Sequence, residues 1–231
     1  MSVNPIESNN YQIWYARFNT PLITTDCGTL CAPHNPNQKP FCCDICYAVP
    51  FAYHPEWDYL KKNTDLWHIW RGDECTDNPE DPRILSTAIS GSTTLLACLG
   101  PDLCQRQFRS LSCRQFPFFP YITSKHIFIG LAYNWDFEDT CWMISHLGQL
   151  SDNFRVEFVN FYDNFFLSQP QELHYYGKRS AQMRAEFISQ KRSITILHRD
   201  GGYYLLRPIK ERLRVVTPDR LPRFGYYREM E

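Results

Sequence analysis

Ten cysteines occur in 231 residues, and nine of them form two blocks: Cys27, Cys31, Cys42, Cys43 and Cys46, then Cys98, Cys104, Cys113 and Cys141. Thiolates bind zinc tetrahedrally or hold iron–sulfur clusters, and four sulfurs are the usual complement of either. Cys27-x3-Cys31 and Cys43-x2-Cys46 are short bites, a spacing that lets one tight turn aim two sulfurs at a common point. The Cys42-Cys43 pair carries further information. Neighbouring side chains usually diverge, so adjacent cysteines suggest two neighbouring centres or one polynuclear cluster. Nine thiols without an accompanying histidine pattern favour an iron–sulfur cluster slightly over zinc. Arg114, directly after Cys113, could offset the charge that several thiolates place on a metal. Cys75 lies in the acidic, proline-containing stretch 73–82 and reads as a surface thiol outside the set. His34 and His146 lie near the cysteine groups and read as loop residues rather than ligands.

The elements that must position these thiols are less plain. Residues 1–26 read as an irregular or stranded lead-in anchored by Ile13, Trp14, Tyr15 and Phe18. The prolines and asparagines from Pro33 to Pro40 forbid regular structure and force a looping excursion before Phe41-Cys42-Cys43. A helix is predicted over 55–70, with Pro55 and Glu56 in its first turn and Trp57, Leu60, Leu66, Trp67 and Trp70 as its apolar residues. Phe116-Pro117-Phe118-Phe119-Pro120 breaks any helix and supplies bulky cover. A strand is expected over 127–133. Phe154, Phe158, Phe161, Tyr162, Phe165 and Phe166 recur at helical spacing behind an N-cap at Ser151 or Asp152. After a polar stretch over 170–178, a short helix is expected over 180–190. Strands at 193–197 and 203–206 flank Asp200-Gly201-Gly202 as a β-hairpin, with a third strand over 212–216. The reading is α+β: an irregular cysteine-rich metal-binding module with short helices over 1–150, and a helical and β-hairpin appendage over 151–231.

Composition narrows the remaining classes. Twenty-four Lys and Arg oppose twenty-five Asp and Glu, a net charge of -1 that gives no global attraction to phosphate backbones. Basic residues gather near the C-terminus, among them Arg199, Arg207, Lys210, Arg212 and Arg214, without a recognised nucleic-acid motif; they read as a solvated face, and no nucleic-acid partner is expected. Met1 to Asn10 lacks the basic and apolar regions of a secretory signal, and no apolar run approaches the roughly 20 residues of a membrane helix. A cytoplasmic protein without a membrane partner is therefore expected. In that reducing compartment clustered cysteines bind metal more often than they form disulfides. The rival, an exported disulfide framework, belongs to much shorter chains. At 43 % hydrophobic and 16 % aromatic, the chain can bury an ordinary core whether or not metal is bound.

The motifs Cys27-x3-Cys31, Cys42-Cys43, Cys98-Leu99-Gly100-Pro101-Asp102-Leu103-Cys104 and Cys113-Arg114-Gln115-Phe116-Pro117 resemble the YkgJ-like cysteine-cluster family, a zinc- or iron-chelating domain with a CxxCxxCC signature. The resemblance covers roughly residues 22–145. It implies metal chelation. Cys27, Cys31, Cys42, Cys43, Cys98, Cys104 and Cys113 are expected to ligate an iron–sulfur cluster or zinc in a structural, redox or metal-handling role, with Cys46 and Cys141 as reserve ligands and the protein partner unspecified. The Pro33 to Pro40 loop stretches the early group, and the family's Arg-Pro stands here as Arg109-Ser110. Flagellin lysine methylases carry a similar cysteine pattern, so the alternative is a metal-dependent enzyme of that kind. No glycine-rich nucleotide turn after a strand accompanies it.

Overall fold

The computed structural model describes residues 8–75 and 91–228. The chain divides into two compact units, and the division is discontinuous: the described residues up to Asn19 join Gly28–Gln115, while Thr20–Cys27 joins the chain from Phe116 onward. The boundary therefore falls at Gln115–Phe116, in place of the expected one near residue 150. Its cause is strand pairing, because residues 118–133 form two strands of the sheet that the expected appendage completes. Helices and two antiparallel sheets make the described residues α+β. No helix among the described residues is long and apolar enough to cross a membrane.

In the first unit, α1 (Ser8–Arg17) and α3 (His54–Asn63) lie against one another, with α2 (Gly28–Cys31) and α4 (Leu111–Gln115) as single turns. Of the lead-in, residues 8–17 are thus helix, residues 18–26 are irregular as expected, and residues 1–7 lie outside the described residues. Tyr11, Tyr15 and Phe18 recur every three or four residues and are buried, whereas Ile13, an expected anchor, faces solvent. The helix expected over 55–70 stops at Asn63. Lys61 and Lys62 favour its C-terminal end, Thr64 turns extended, and Trp67–Ile69 becomes β2. That strand forms because β3 (Thr93–Cys98) runs between β1 (Phe51–Tyr53) and β2, pairing antiparallel with both. Pairing partners about thirty residues away decide this segment, and local propensity does not see them. Of the acidic stretch over 73–82, residues 76–82 lie outside the described residues.

Two buried ionisable residues tie this unit together. Glu56 accepts hydrogen bonds from the Tyr15 hydroxyl, from the Leu111 N–H at 2.5 Å and from the Tyr53 N–H at 3.1 Å. Arg114 spreads its guanidinium over main-chain oxygens of two segments. It donates to Phe18 at 2.7 Å and Tyr15 at 3.3 Å on one side, and to Gln107 at 2.8 Å, Arg109 at 2.9 Å and Arg106 at 3.0 Å on the other. Its plane covers the Tyr15 ring at 4.0 Å. Burial lowers the Arg114 pKa to about 10, which leaves it charged near neutrality.

In the second unit, β4 (Phe118–Ile122), β5 (Phe128–Tyr133), β6 (Ile194–His198), β7 (Tyr203–Arg207) and β8 (Arg212–Val216) form one antiparallel sheet in that order. Phe118-Phe119-Pro120, read as a breaker, is strand. Pro120 is tolerated because β4 is an edge, where a missing N–H costs no ladder bond. The hairpin and its third strand stand where the sequence places them, and Gly201 and Gly202 at φ 99° and 77° make the turn. Short α5 (Trp142–Ser145) precedes α6 (Asp152–Ser168), whose N-cap Ser151 accepts from the Phe154 N–H at 3.4 Å. Phe154, Phe158, Phe161, Tyr162 and Phe165 are buried as the helical stripe requires. The polar stretch over 170–178 is helical too: α7 runs unbroken over Pro170–Ser189, because Glu172 and Tyr176 are buried and Tyr176 shares a hydroxyl contact of 3.0 Å with Tyr162. Thr20 reaches Glu157 through its N–H and hydroxyl at 2.7 Å each, which fixes the Thr20–Cys27 segment on α6.

Burial pushes the Glu56 carboxyl up to about 7, against the lowering pull of the Tyr15, Leu111 and Tyr53 donors and of Arg114. The folded chain then holds a proton that the unfolded chain has released above the ordinary carboxylate value of 4.5. Stability should fall as pH rises from that value through about 7 and level off beyond it. Urea unfolding midpoints across this window should show the slope in the native chain and a flatter profile in Glu56→Gln. Glu56→Ala orphans three buried donors and should cost about 3–5 kcal/mol.

Candidate metal centre

Three short devices bring thiols of the early and late blocks into one neighbourhood of the first unit. The first is the 3₁₀ turn Phe41–Cys43, anchored by buried Phe41, whose ring meets Tyr47 edge-on at 4.9 Å. The proline-rich loop before it is not slack. Asn35 and Asn37 donate to Asp44 Oδ2 at 3.0 and 2.8 Å, and the Cys46 N–H donates to Oδ1 at 3.1 Å. On this turn the Cys42 and Cys43 sulfurs stand 3.9 Å apart. The edge of a tetrahedron with zinc–sulfur bonds of about 2.3 Å is roughly 3.8 Å. The 3₁₀ turn therefore makes adjacent side chains converge, and the inference of two centres from their adjacency loses its basis.

The second device is the link from β3 to the 3₁₀ turn Pro101–Leu103, with Cys98 ending the strand and Cys104 following the turn. Gly100 between them has φ 100° and ψ 174°, a region that L side chains rarely enter. The third is α4, which carries Cys113. Ser112 fastens α4 to β1 by donating to the Phe51 carbonyl at 2.6 Å and accepting from the Phe51 N–H at 3.0 Å.

The thiols on these devices sense one another. Burial raises the Cys98 pKa; the Gly100 N–H at its sulfur opposes this, and the charges of Cys43 and Cys104 add to it. Burial pushes the Cys113 thiol up to about 12; a Ser110 hydrogen bond opposes the shift, Cys43 and Cys98 reinforce it, and Arg109 counters it. Arg109 is the counter-charge of the group: its Nε donates to the Cys104 sulfur at 3.1 Å. Burial works against the Arg109 charge, but the Cys104 hydrogen bond and the fields of Cys104, Cys43 and Cys113 hold its pKa above the ordinary value. Arg114, the expected counter-charge, spends its donors on main-chain carbonyls and on the Asn19 side-chain oxygen at 3.0 Å. Arg109 carried only a weak signal in sequence, as the residue in the Arg109-Ser110 step before Cys113.

The other candidates divide. Cys31 is buried in α2, which lies against the Phe41–Cys43 turn, and its thiol donates to the Gly28 carbonyl at 3.5 Å. Cys46 is corrected as a reserve ligand, and Cys75 as a surface thiol: the two form a disulfide with α-carbons 5.4 Å apart, and Cys75 is buried. Their separation of 29 residues offers no local signal of the pairing. Cys27 and Cys141 belong to the second unit. His146 is there as well, stacked on Trp142 at 4.1 Å, with Nδ1 at 2.9 Å from the Trp142 carbonyl oxygen.

The donor set fits a thiolate-held metal in kind and number. Among the described residues, however, no three His, Cys, Asp or Glu side chains are drawn close enough together to hold a metal ion. Neutral thiols have no electrostatic reason to crowd; a cation that replaces their protons supplies one. No protein-family model matches the chain, and neither a curated protein nor a solved structure matches it.

Gly100→Ala should destabilise the first unit by about 1–3 kcal/mol, because a Cβ is strained at that φ although the space around it is open. Gly91→Ala, with equally open space and no positive φ, should leave the urea midpoint unchanged and serves as the control.

Proposed function

We propose that this chain is a metal-binding protein in which Cys42, Cys43, Cys98, Cys104 and Cys113 supply the ligands of an iron–sulfur cluster or zinc, with Arg109 balancing their charge. The observation that carries this reading is the single neighbourhood shared by Cys43, Cys98, Cys104, Cys113 and Arg109, residues drawn from segments up to 70 positions apart. A buried thiol alone is an ordinary small apolar side chain. Several around one guanidinium, with the Cys98 and Cys113 thiols pushed up by burial and by neighbouring cysteines, are a poor arrangement for a core and a natural one for holding a cation. The bound centre would supply redox capacity if iron–sulfur, and cross-linking of the turn, the strand and α4 if zinc. The chain's residues would bind it, neutralise it and shield it.

Purification without oxygen followed by assay of iron, zinc and acid-labile sulfide tests the reading. Stoichiometric zinc in a colourless protein, or visible absorption with sulfide, supports it; absence of all three after reconstitution defeats it. Retained S-adenosylmethionine would point to the methylase alternative. Cys98→Ser and Cys113→Ser should each lower metal affinity by at least about ten-fold, measured by competition with a chromophoric chelator. Cys141→Ser should leave it unchanged.

A further inference from the structure

Outside the thiol cluster, the second unit joins two turns into a single tip. The turn over 123–127 links β4 to β5, and the turn over 208–211 links β7 to β8. Glu211 binds them together, accepting from the Ser124 N–H at 3.1 and 3.0 Å and from the Ser124 hydroxyl. Arg184 neutralises Glu211 at 3.1 Å and also donates to the Ile122 carbonyl at 3.0 Å. The first turn is closed by the His126 N–H on the Thr123 carbonyl and the Thr123 N–H on the Ile127 carbonyl, both 2.9 Å. His126 and Glu211 hold left-handed φ values of 59° and 47°, so each turn is fixed in a conformation its own residue disfavours.

This rigid tip exposes side chains that have no packing role. Ile127 is 54 % exposed and Ile209 is 77 % exposed, one on each turn. Lys125 and Lys210 flank them in sequence, and Arg207 faces Arg212 directly across the ladder at the base of the second turn. All four cations are exposed, and among the described residues none of them forms an ion pair. Like charges directly opposite on neighbouring strands destabilise the pair unless an anion lies against them. The only acid in the two turns, Glu211, is already neutralised.

We propose that the paired turns are a docking surface for an anionic lipid bilayer, with Ile127 and Ile209 entering the headgroup boundary and Lys125, Arg207, Lys210 and Arg212 meeting the lipid phosphates and carboxylates. Two exposed aliphatic side chains on turns that also expose unpaired cations match both layers of such an interface: apolar area enters below the headgroups while charge stays among them. Nucleic acid fits the cations, and the exposed His126 ring and the arginines could stack on a base, but it leaves both isoleucines without an apolar layer to enter. An acidic protein would use the charge and has no need of two protruding side chains on a braced support.

Co-sedimentation of the full chain with vesicles of phosphatidylcholine alone, or mixed with phosphatidylserine, tests the proposal. Binding is expected to the mixed vesicles only, and should weaken as salt rises. Lys210→Gln and Arg212→Gln should each weaken it roughly five-fold. Ile127→Ser combined with Ile209→Ser should weaken it by more than about ten-fold. These side chains are exposed, so unfolding midpoints should not fall below the native value, and Arg212→Gln, which relieves repulsion from Arg207, should not lower it; if the serine variant loses its fold, the glutamine variants decide. No binding to mixed vesicles, equal binding to phosphatidylcholine alone, or full binding by the folded variants would overturn the proposal. So would a single-stranded RNA oligonucleotide that binds through the same residues while the vesicles do not.

Discussion

A buried guanidinium cannot be satisfied by one partner, and the way Arg114 meets this demand organises the first unit. Its donors reach carbonyls at the end of α1 and carbonyls of the loop that carries Arg106 and Arg109, while its face rests on Tyr15. Loss of any of these acceptors would leave a desolvated charge incompletely paired, a defect of several kcal/mol. The segments around it are therefore not independent. Arg109 follows from this directly: its carbonyl is held by Arg114, and its own side chain is left to face the Cys104 sulfur. Glu56 closes the other side by accepting from Tyr15 and from the first residue of α4, the turn that bears Cys113. The scaffold and the thiol group thus share a single polar network, and a change in one reaches the other within two residues.

The thiols add a second constraint of the opposite kind. As neutral groups they are easily buried, but burial penalises the thiolate form, and that desolvation, reinforced by neighbouring cysteines, drives the upward shifts at Cys98 and Cys113. Thiols buried in this way give up their protons only where a cation compensates the thiolates, which is the role the proposed metal would take. The Cys46–Cys75 disulfide stabilises the chain just after the Cys42-Cys43 turn without occupying those sulfurs. The second unit obeys a different logic, with an aromatic-lined helix pair and a five-stranded sheet, and its charged turns are held by ion pairs at Glu211 and Glu138.

Local rules read the second unit well. Ser151 as N-cap, the phenylalanine stripe after it, the glycine pair of the hairpin and the β-branched and aromatic runs flanking it are each decided within a few residues, so their spacing is sufficient evidence. The first unit resists such reading. Trp67–Ile69 has residues suited to a helix face and becomes strand because β3 offers backbone partners. The segment 8–17 has turn-forming asparagines and becomes helix because Tyr11, Tyr15 and Phe18 find a buried face. One segment of the second unit resists it as well: Pro170–Ser189 looks polar over its first half and is helical because Tyr176 and Glu172 are covered.

The chemistry of the chain was set by its sequence alone: clustered sulfur donors, the short bites among them, glycine where a link must bend, and balanced charge overall. Which sulfurs meet could be decided only in three dimensions. Adjacency in sequence suggested that Cys42 and Cys43 diverge, and a 3₁₀ turn makes them converge; Arg114 looked like the counter-charge, and Arg109 takes that place because the buried main chain claims Arg114 first. Cys46 and Cys75 illustrate the same limit. The physical reason is that residue type fixes what a side chain can bond to, whereas competition among all buried donors and acceptors, settled over long separations, fixes which bond it makes.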